Sequence, residues 1–147
     1  LIAAPLILDT GGWLRALAGD TGYAEALLAA RPAIVPALVL AELDWHLRSQ
    51  RAAMFRVLDE IAKGAYAYEP PTLEDLRRAR EIDAKFRDLS LGLVDASIAA
   101  LAERLNVRRL LTTDSDFAAV RTGRRWDRSI ELAVPLPRPR RRRSSKR

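Results

Sequence analysis

The chain has no cysteine, a single histidine (His46) and no long apolar run in its 147 residues. Without cysteine there are no disulfides, no thiolate zinc sites and no cysteine nucleophile. One histidine excludes a metal-free ribonuclease that passes protons between two imidazoles, and a zinc site rich in His. A membrane-spanning helix needs about 20 mostly apolar residues, and no segment approaches that length. The first eight residues, Leu1–Leu8, are apolar, but they lack a basic leader and soon meet Asp9 and Arg15. They do not read as a signal peptide. Together these absences fit a cytoplasmic protein with no membrane partner.

Acidic residues are missing from one stretch in particular. Pro137–Arg147 carries Arg138, Arg140, Arg141, Arg142, Arg143, Lys146 and Arg147 with no Asp or Glu, more than the whole net charge of +6. Residues 1–136 are therefore near neutral and form the expected folded domain. Pro135 and Pro137 separate it from a basic tail, residues 137–147, too charged to fold. A domain of this length buries roughly two-thirds of its unfolded surface, enough for a real core.

What is present alternates between short apolar strands and helices. Leu6-Ile7-Leu8 is bounded by Pro5 and Asp9 as a buried strand should be. Trp13–Ala30 reads as helix with a break at Gly19–Gly22. Ala33-Ile34-Val35 is a second strand, and Pro36 suits the first position of a helix running to about Arg48. Another helix spans about Arg51 to Lys63. Ala65–Tyr68 reads as a weaker third strand. Thr72 and Asp75 form a capping-box pattern opening a helix to about Arg87. Leu93–Leu105 is helical with Asn106 as its C-cap. Arg109–Thr112 and Ile130–Val134 complete about five strands. Such alternation implies an α/β fold with a central parallel sheet covered on both faces.

Four carboxylates stand in apolar settings. Asp9 closes the first strand, Glu42 interrupts Ala37–Leu43, Asp95 lies within Leu91–Ile98, and Asp114 follows Leu110-Leu111-Thr112-Thr113, with Asp116 two residues on. Buried carboxylates are rare unless paired or bound to metal. Asp9 and Asp114 directly follow strands, Asp95 is in the first turn of a helix, and Glu42 is early in another. All can meet at the carboxyl end of a parallel sheet, where such folds place their sites. An all-oxygen donor set suits Mg²⁺ or Mn²⁺, and such ions act on phosphate esters.

At Leu8-Asp9-Thr10, Ala41-Glu42-Leu43, Leu93-Val94-Asp95-Ala96 and Leu111-Thr112-Thr113-Asp114-Ser115-Asp116-Phe117 the chain resembles the PIN-domain nucleases, and more narrowly the VapC toxins of type II toxin–antitoxin systems. The motifs follow the family's order across about residues 5–134. The resemblance implies a PIN-like α/β/α sandwich and a Mg²⁺- or Mn²⁺-dependent endoribonuclease acting on a structured RNA (tRNA or rRNA). It further implies a cognate antitoxin and a homodimer. Carried over by position, Asp9 and Asp95 are the direct metal ligands. Glu42 and Asp114 complete the acidic pocket, and Asp116 occupies a further acidic position. Gly11 departs from the family, which commonly has Ser after Asp-Thr; Thr10 and Thr112 are the remaining hydroxyls for that role.

Two rival readings differ in class. A haloacid-dehalogenase-type phosphatase expects a second Asp two residues after Asp9, where this chain has Gly11. A non-catalytic RNA-binding module driven by the basic tail leaves the acidic set without a purpose. Taken one at a time, the acids have bland readings: Asp9 as a helix cap, Asp95 as a dipole-favoured acid, Asp114 and Asp116 as turn residues. His46, Trp13 and Trp45 are read as structural, and Arg77, Arg78 and Arg80 as a solvated helix face.

Overall fold

The computed structural model describes residues 3–137. The expected basic tail lies almost wholly outside the described residues. β1 (Leu6–Leu8) is followed by α1 (Thr10–Leu17) and α2 (Thr21–Ala29), then β2 (Ala33–Pro36), α3 (Ala37–His46) and α4 (Arg51–Ala62). β3 (Ala67–Glu69), α5 (Leu73–Lys85), a 3-10 turn (Arg87–Leu89), α6 (Gly92–Leu105) and β4 (Arg109–Leu111) follow. The chain finishes with a 3-10 turn (Ser115–Ala119), a hairpin of β5 (Arg121–Thr122) and β6 (Arg128–Ser129), and β7 (Glu131–Leu132).

Five strands form one sheet in the order β3-β2-β1-β4-β7, and every pairing is parallel. Crossover helices cover the faces of such a sheet, so its central strands are apolar throughout. Leu6, Ile7, Leu8, Val35, Leu110 and Leu111 are accordingly all buried. The chain builds β2 and β3 to one side of β1, then β4 and β7 to the other. The connections therefore diverge between β1 and β4. Ligand crevices in open α/β sheets open at such a switch point, beyond the carboxyl ends of the strands.

Local signals explain several boundaries. The capping box of α5 is complete: Thr72 Oγ1 accepts from the Asp75 amide and Asp75 accepts from the Thr72 amide, both at 3.0 Å. Asn106 ends α6 in the left-handed conformation with φ 52°. Gly19, with φ 81°, breaks α1 from α2.

Elsewhere the boundaries move. Pro36 is the last residue of β2, paired with Glu69, and caps α3 from outside. Its φ of −65° and ψ of 131° serve an extended strand end, and its missing N–H is no loss there. β3 is shifted toward Glu69. α5 stops at Lys85, where Phe86 leaves helical geometry. The fifth strand shrinks to Glu131–Leu132, and the β5–β6 hairpin has no counterpart in the sequence pattern. Trp13 is fully buried and packs at 5.3 Å centroid distance on Tyr66, whereas Trp45 is exposed beneath Arg48.

Candidate active site

The site grows from the ends of β1 and β4. The Asp9 amide donates to the Leu111 carbonyl at 2.9 Å, which locks the two strand ends together. Gly12 makes this possible: a Cβ there would lie 2.3 Å from the Leu111 carbonyl oxygen. Helix α1 thus starts directly against the end of β4, and only a residue without a side chain fits.

Asp9 occupies the N-cap of α1 and is buried. One carboxylate oxygen accepts from the Thr10 amide at 2.8 Å, and the other accepts from Thr112 Oγ1 at 2.6 Å. Thr112 is itself an acceptor, taking the Asp114 amide at 3.0 Å. Asp114 in turn accepts from the Asp116 amide at 2.9 Å, which shapes the 3-10 turn behind it. Thr10 Oγ1 donates to Glu42 Oε1 at 2.7 Å, tying α3 to the same edge. The two hydroxyls of Thr10 and Thr112 therefore hold Glu42 and Asp9.

Electrostatics shows which acids share this edge. Asp95, in the first turn of α6, is pushed up to about 7, first by burial and then by the charges of Asp9, Asp114, Glu42 and Asp116. Asp9 is also raised, chiefly by burial. The Thr112 and Thr10 hydrogen bonds work against that rise, and the charges of Glu42 and Asp114 add to it. Burial and the charge of Asp114 raise Asp116. The structure thus brings Asp9, Glu42, Asp95, Asp114 and Asp116 into one mutually repelling field. Among the described residues, none of the five is ion-paired to a lysine or arginine. His46 is exposed at the end of α3.

Among the described residues, no three of these side chains are drawn together tightly enough to grip an ion. The donor set is nevertheless that of a hard divalent cation: carboxylate oxygens, no sulfur, and a negative field with nothing to balance it.

One participant was not visible in the sequence. A Cβ at Gly11 would lie 2.2 Å from Thr113 Oγ1. The Thr113 hydroxyl fills the space that a side chain at position 11 would take, so the glycine and Thr113 form a matched pair. Nothing in either motif alone signals this, because the match is across two strand ends.

The PIN domain family model matches residues 6–123. The chain is 33% identical over 91 residues to Ribonuclease VapC26 of Mycobacterium tuberculosis, covering 60% of this chain and 67% of that one. Its fold resembles the crystal structure of VapC20 of Mycobacterium tuberculosis, described as a sarcin-ricin loop cleaving toxin. That likeness has a TM-score of 0.64 and 24% identity over 78% of this chain and 93% of the other. A toxin–antitoxin complex from Klebsiella pneumoniae shares the fold at a TM-score of 0.62 and 21% identity, covering 77% and 90% of the two chains. VapBC2 from Rickettsia felis, bound to a DNA fragment from its promoter, does so at 0.59 and 20%, covering 76% and 89%. With a family match across most of the fold and acids closing the strands β1 and β4 where such a sheet places its site, the chain belongs to the PIN-domain family, in its VapC branch.

Proposed function

We propose that the protein is the toxin of a toxin–antitoxin pair, an endoribonuclease that hydrolyses phosphodiester bonds in a structured RNA with the help of Mg²⁺ or Mn²⁺. The observation that carries this reading is the unbalanced acidic edge: Asp9 is buried and fixed by Thr10 and Thr112, Thr10 also holds Glu42, and among the described residues none of the five acids is paired to a lysine or arginine. A field of that kind has no structural benefit to the fold and is relieved by a cation.

Asp9 and Asp95 are the residues that hold the ion, with Glu42 and Asp114 orienting water or a second ion, and Asp116 supporting Asp114. The bound ion supplies the activation of water and the neutralisation of the scissile phosphate. The chain's own contribution is positioning. Thr112 fixes the Asp9 carboxylate, Thr10 fixes Glu42, and the Asp114–Asp116 turn keeps two further oxygens at the rim. Attack by water breaks the bond to the 3′ oxygen and leaves 5′-phosphate and 3′-hydroxyl ends.

The relatives support the wider setting: one is named a ribonuclease, and solved structures with this fold include toxin–antitoxin complexes. A small antitoxin that covers or fills the acidic cleft is the corresponding partner here, with a homodimer as the assembly and the cytoplasm as its place of action. Among the described residues no helix is long and apolar enough to cross a membrane. The basic segment from Arg138 to Arg147 adds affinity for RNA without choosing the cut.

The test is cleavage of total cellular RNA by purified protein, with 5′ ends mapped, in Mg²⁺, in Mn²⁺ and in excess EDTA. Discrete cuts that need a divalent ion are expected. Undiminished cleavage in EDTA, from protein free of contaminating nuclease, would sink the metal-dependent reading. Full-length protein that binds RNA without cutting it, and that loses this binding on truncation after Leu136, would favour the tail-driven RNA-binding module instead.

A further inference from the structure

Three arginines on one stretch of α5 meet three different environments. Arg77 pairs with Glu74 on an exposed face. Arg78 is fully engaged: it donates to both oxygens of Glu103 at 3.0 and 2.9 Å, to Glu81 at 2.6 Å and to the Gly123 carbonyl at 3.1 Å. Its guanidinium also lies 4.3 Å above the Trp126 ring. Arg80 has no carboxylate partner among the described residues, and neither does Arg87, seven positions further on. These two arginines line one open cavity of about 530 Å³ with Asp83, Ala84, Ser90 and Gly92.

The cavity's single carboxylate has one oxygen engaged by the backbone. Asp83 accepts the Gly92 amide at 3.2 Å and so caps the start of α6. Three residues along that helix, about 4.5 Å of rise, stands Asp95. The cavity thus opens beside the first turn of the helix that carries Asp95. A polyanion approaching five carboxylates is repelled unless cations beside them hold it. Arginine suits the task, because its planar fork takes two phosphate oxygens at once.

We propose that the Arg80–Arg87 cavity is a subsite for the RNA backbone, gripping phosphate groups next to the one that is cut. The proposal rests on the ribonuclease reading and names where its substrate is held. Contacts of this kind position the strand and carry no base preference.

The experiment uses the full chain and a labelled structured RNA. Affinity is followed by fluorescence anisotropy in EDTA across a salt series, and KM is measured separately with divalent ion. The double variant Arg80→Ala/Arg87→Ala should bind about tenfold more weakly at moderate salt. Its log–log salt slope should fall by nearly two, about one per lost phosphate contact. KM should rise while the cleavage position stays the same. Arg80→Lys should keep the slope and lose part of the affinity, and Arg77→Ala should match wild type. An unchanged salt slope in the double variant, or an equal loss in Arg77→Ala, overturns the subsite. So does an altered oligomeric state with RNA affinity intact, which would assign the cavity to a protein contact. Because binding is read without metal, wild-type protein that binds in this pattern yet never cleaves would overturn the nuclease reading alone.

Discussion

Buried carboxylates occur in two parts of this molecule under opposite conditions. On the α5–α6 flank, Asp75 is as inaccessible as Asp9, yet both its oxygens meet donors and one donor is a cation. It completes the capping box of α5 and accepts from Arg104 at 3.0 Å. Glu103 is likewise matched by Arg78 and by the Gly123 amide. These acids raise the pKa of their arginine partners, as attraction should. At the β1–β4 edge the neighbours of Asp9 and Asp95 are other acids. The same residue type therefore stabilises one region and strains the other. Acids on the flank are matched by arginines; those at the edge are set against one another.

The largest effect should come from breaking the unbalanced set. Asp9→Asn or Asp95→Asn keeps the side chain's shape but removes charge from the cation site. A metal contributes several kcal/mol to such a reaction, and at ~1.4 kcal/mol per decade cleavage should fall by about a thousandfold. Single-turnover assays with an RNA that wild type cuts provide the check. Wild-type turnover in either variant would remove that residue from the ligand set.

Breaking the balanced set should do the reverse, costing stability and sparing chemistry. Asp75→Ala removes the reciprocal half of the capping box, worth about 1 kcal/mol, and leaves Arg104 without its main partner. That pair is only partly screened, since Arg104 is 35% exposed on its side chain while Asp75 is 4% exposed. A loss of about 2–3 kcal/mol is expected, below the range for fully buried pairs. Urea denaturation measures it, and cleavage per folded molecule should stay at the wild-type level.

Much of this contrast is legible in the sequence. The capping box at Thr72 and Asp75, Asn106 at the end of α6, and the apolar strands ending in Asp9 and Asp114 are local signals with local causes. The pairing of Asp75 with Arg104 was not, because it joins residues 29 apart through helix packing. The β5–β6 hairpin escaped notice because its strands are two residues each, flank the charged Arg124-Arg125 turn, and show no apolar alternation. Pro36 was ambiguous in principle, since its fixed φ serves a strand end and a helix start alike. The place of Gly11 also needed the fold, because its neighbour Thr113 arrives from another strand.

The edge should further reveal itself through pH in metal-free protein. The folded-state pKa of Asp95 is about 7, above its ordinary value of 3.8, so the native state binds the extra proton between those limits. Stability must then fall as pH rises from about 4 to about 7 and level off above that. Asp95→Asn abolishes the penalty, so in EDTA at pH 8 it should melt a few degrees higher than wild type, about 1–2 kcal/mol after solvent screening. Near pH 4 the two should coincide. A variant that melts lower at pH 8 would show that Asp95 is satisfied in the native state after all.

A smaller effect isolates the Gly11–Thr113 match. Gly11→Ala crowds the Thr113 hydroxyl, at a cost of about 2 kcal/mol that alanine's better helix propensity offsets by about 1 kcal/mol, so a net loss of about 1 kcal/mol is expected by thermal melting. Adding Thr113→Ala should recover most of it. If the double variant is no more stable than Gly11→Ala alone, the crowding lies elsewhere.

Whether the edge acids form one cation site is decided by calorimetric titration of the metal-free protein with Mn²⁺ at pH 7. Wild type should bind saturably and release protons, because Asp95 is partly protonated there and must ionise to ligate. Asp95→Asn should bind at least tenfold more weakly with little proton release, while Asp75→Asn binds as wild type does. Equal Mn²⁺ affinity in wild type and Asp95→Asn, or no saturable binding in either, would contradict the cation site.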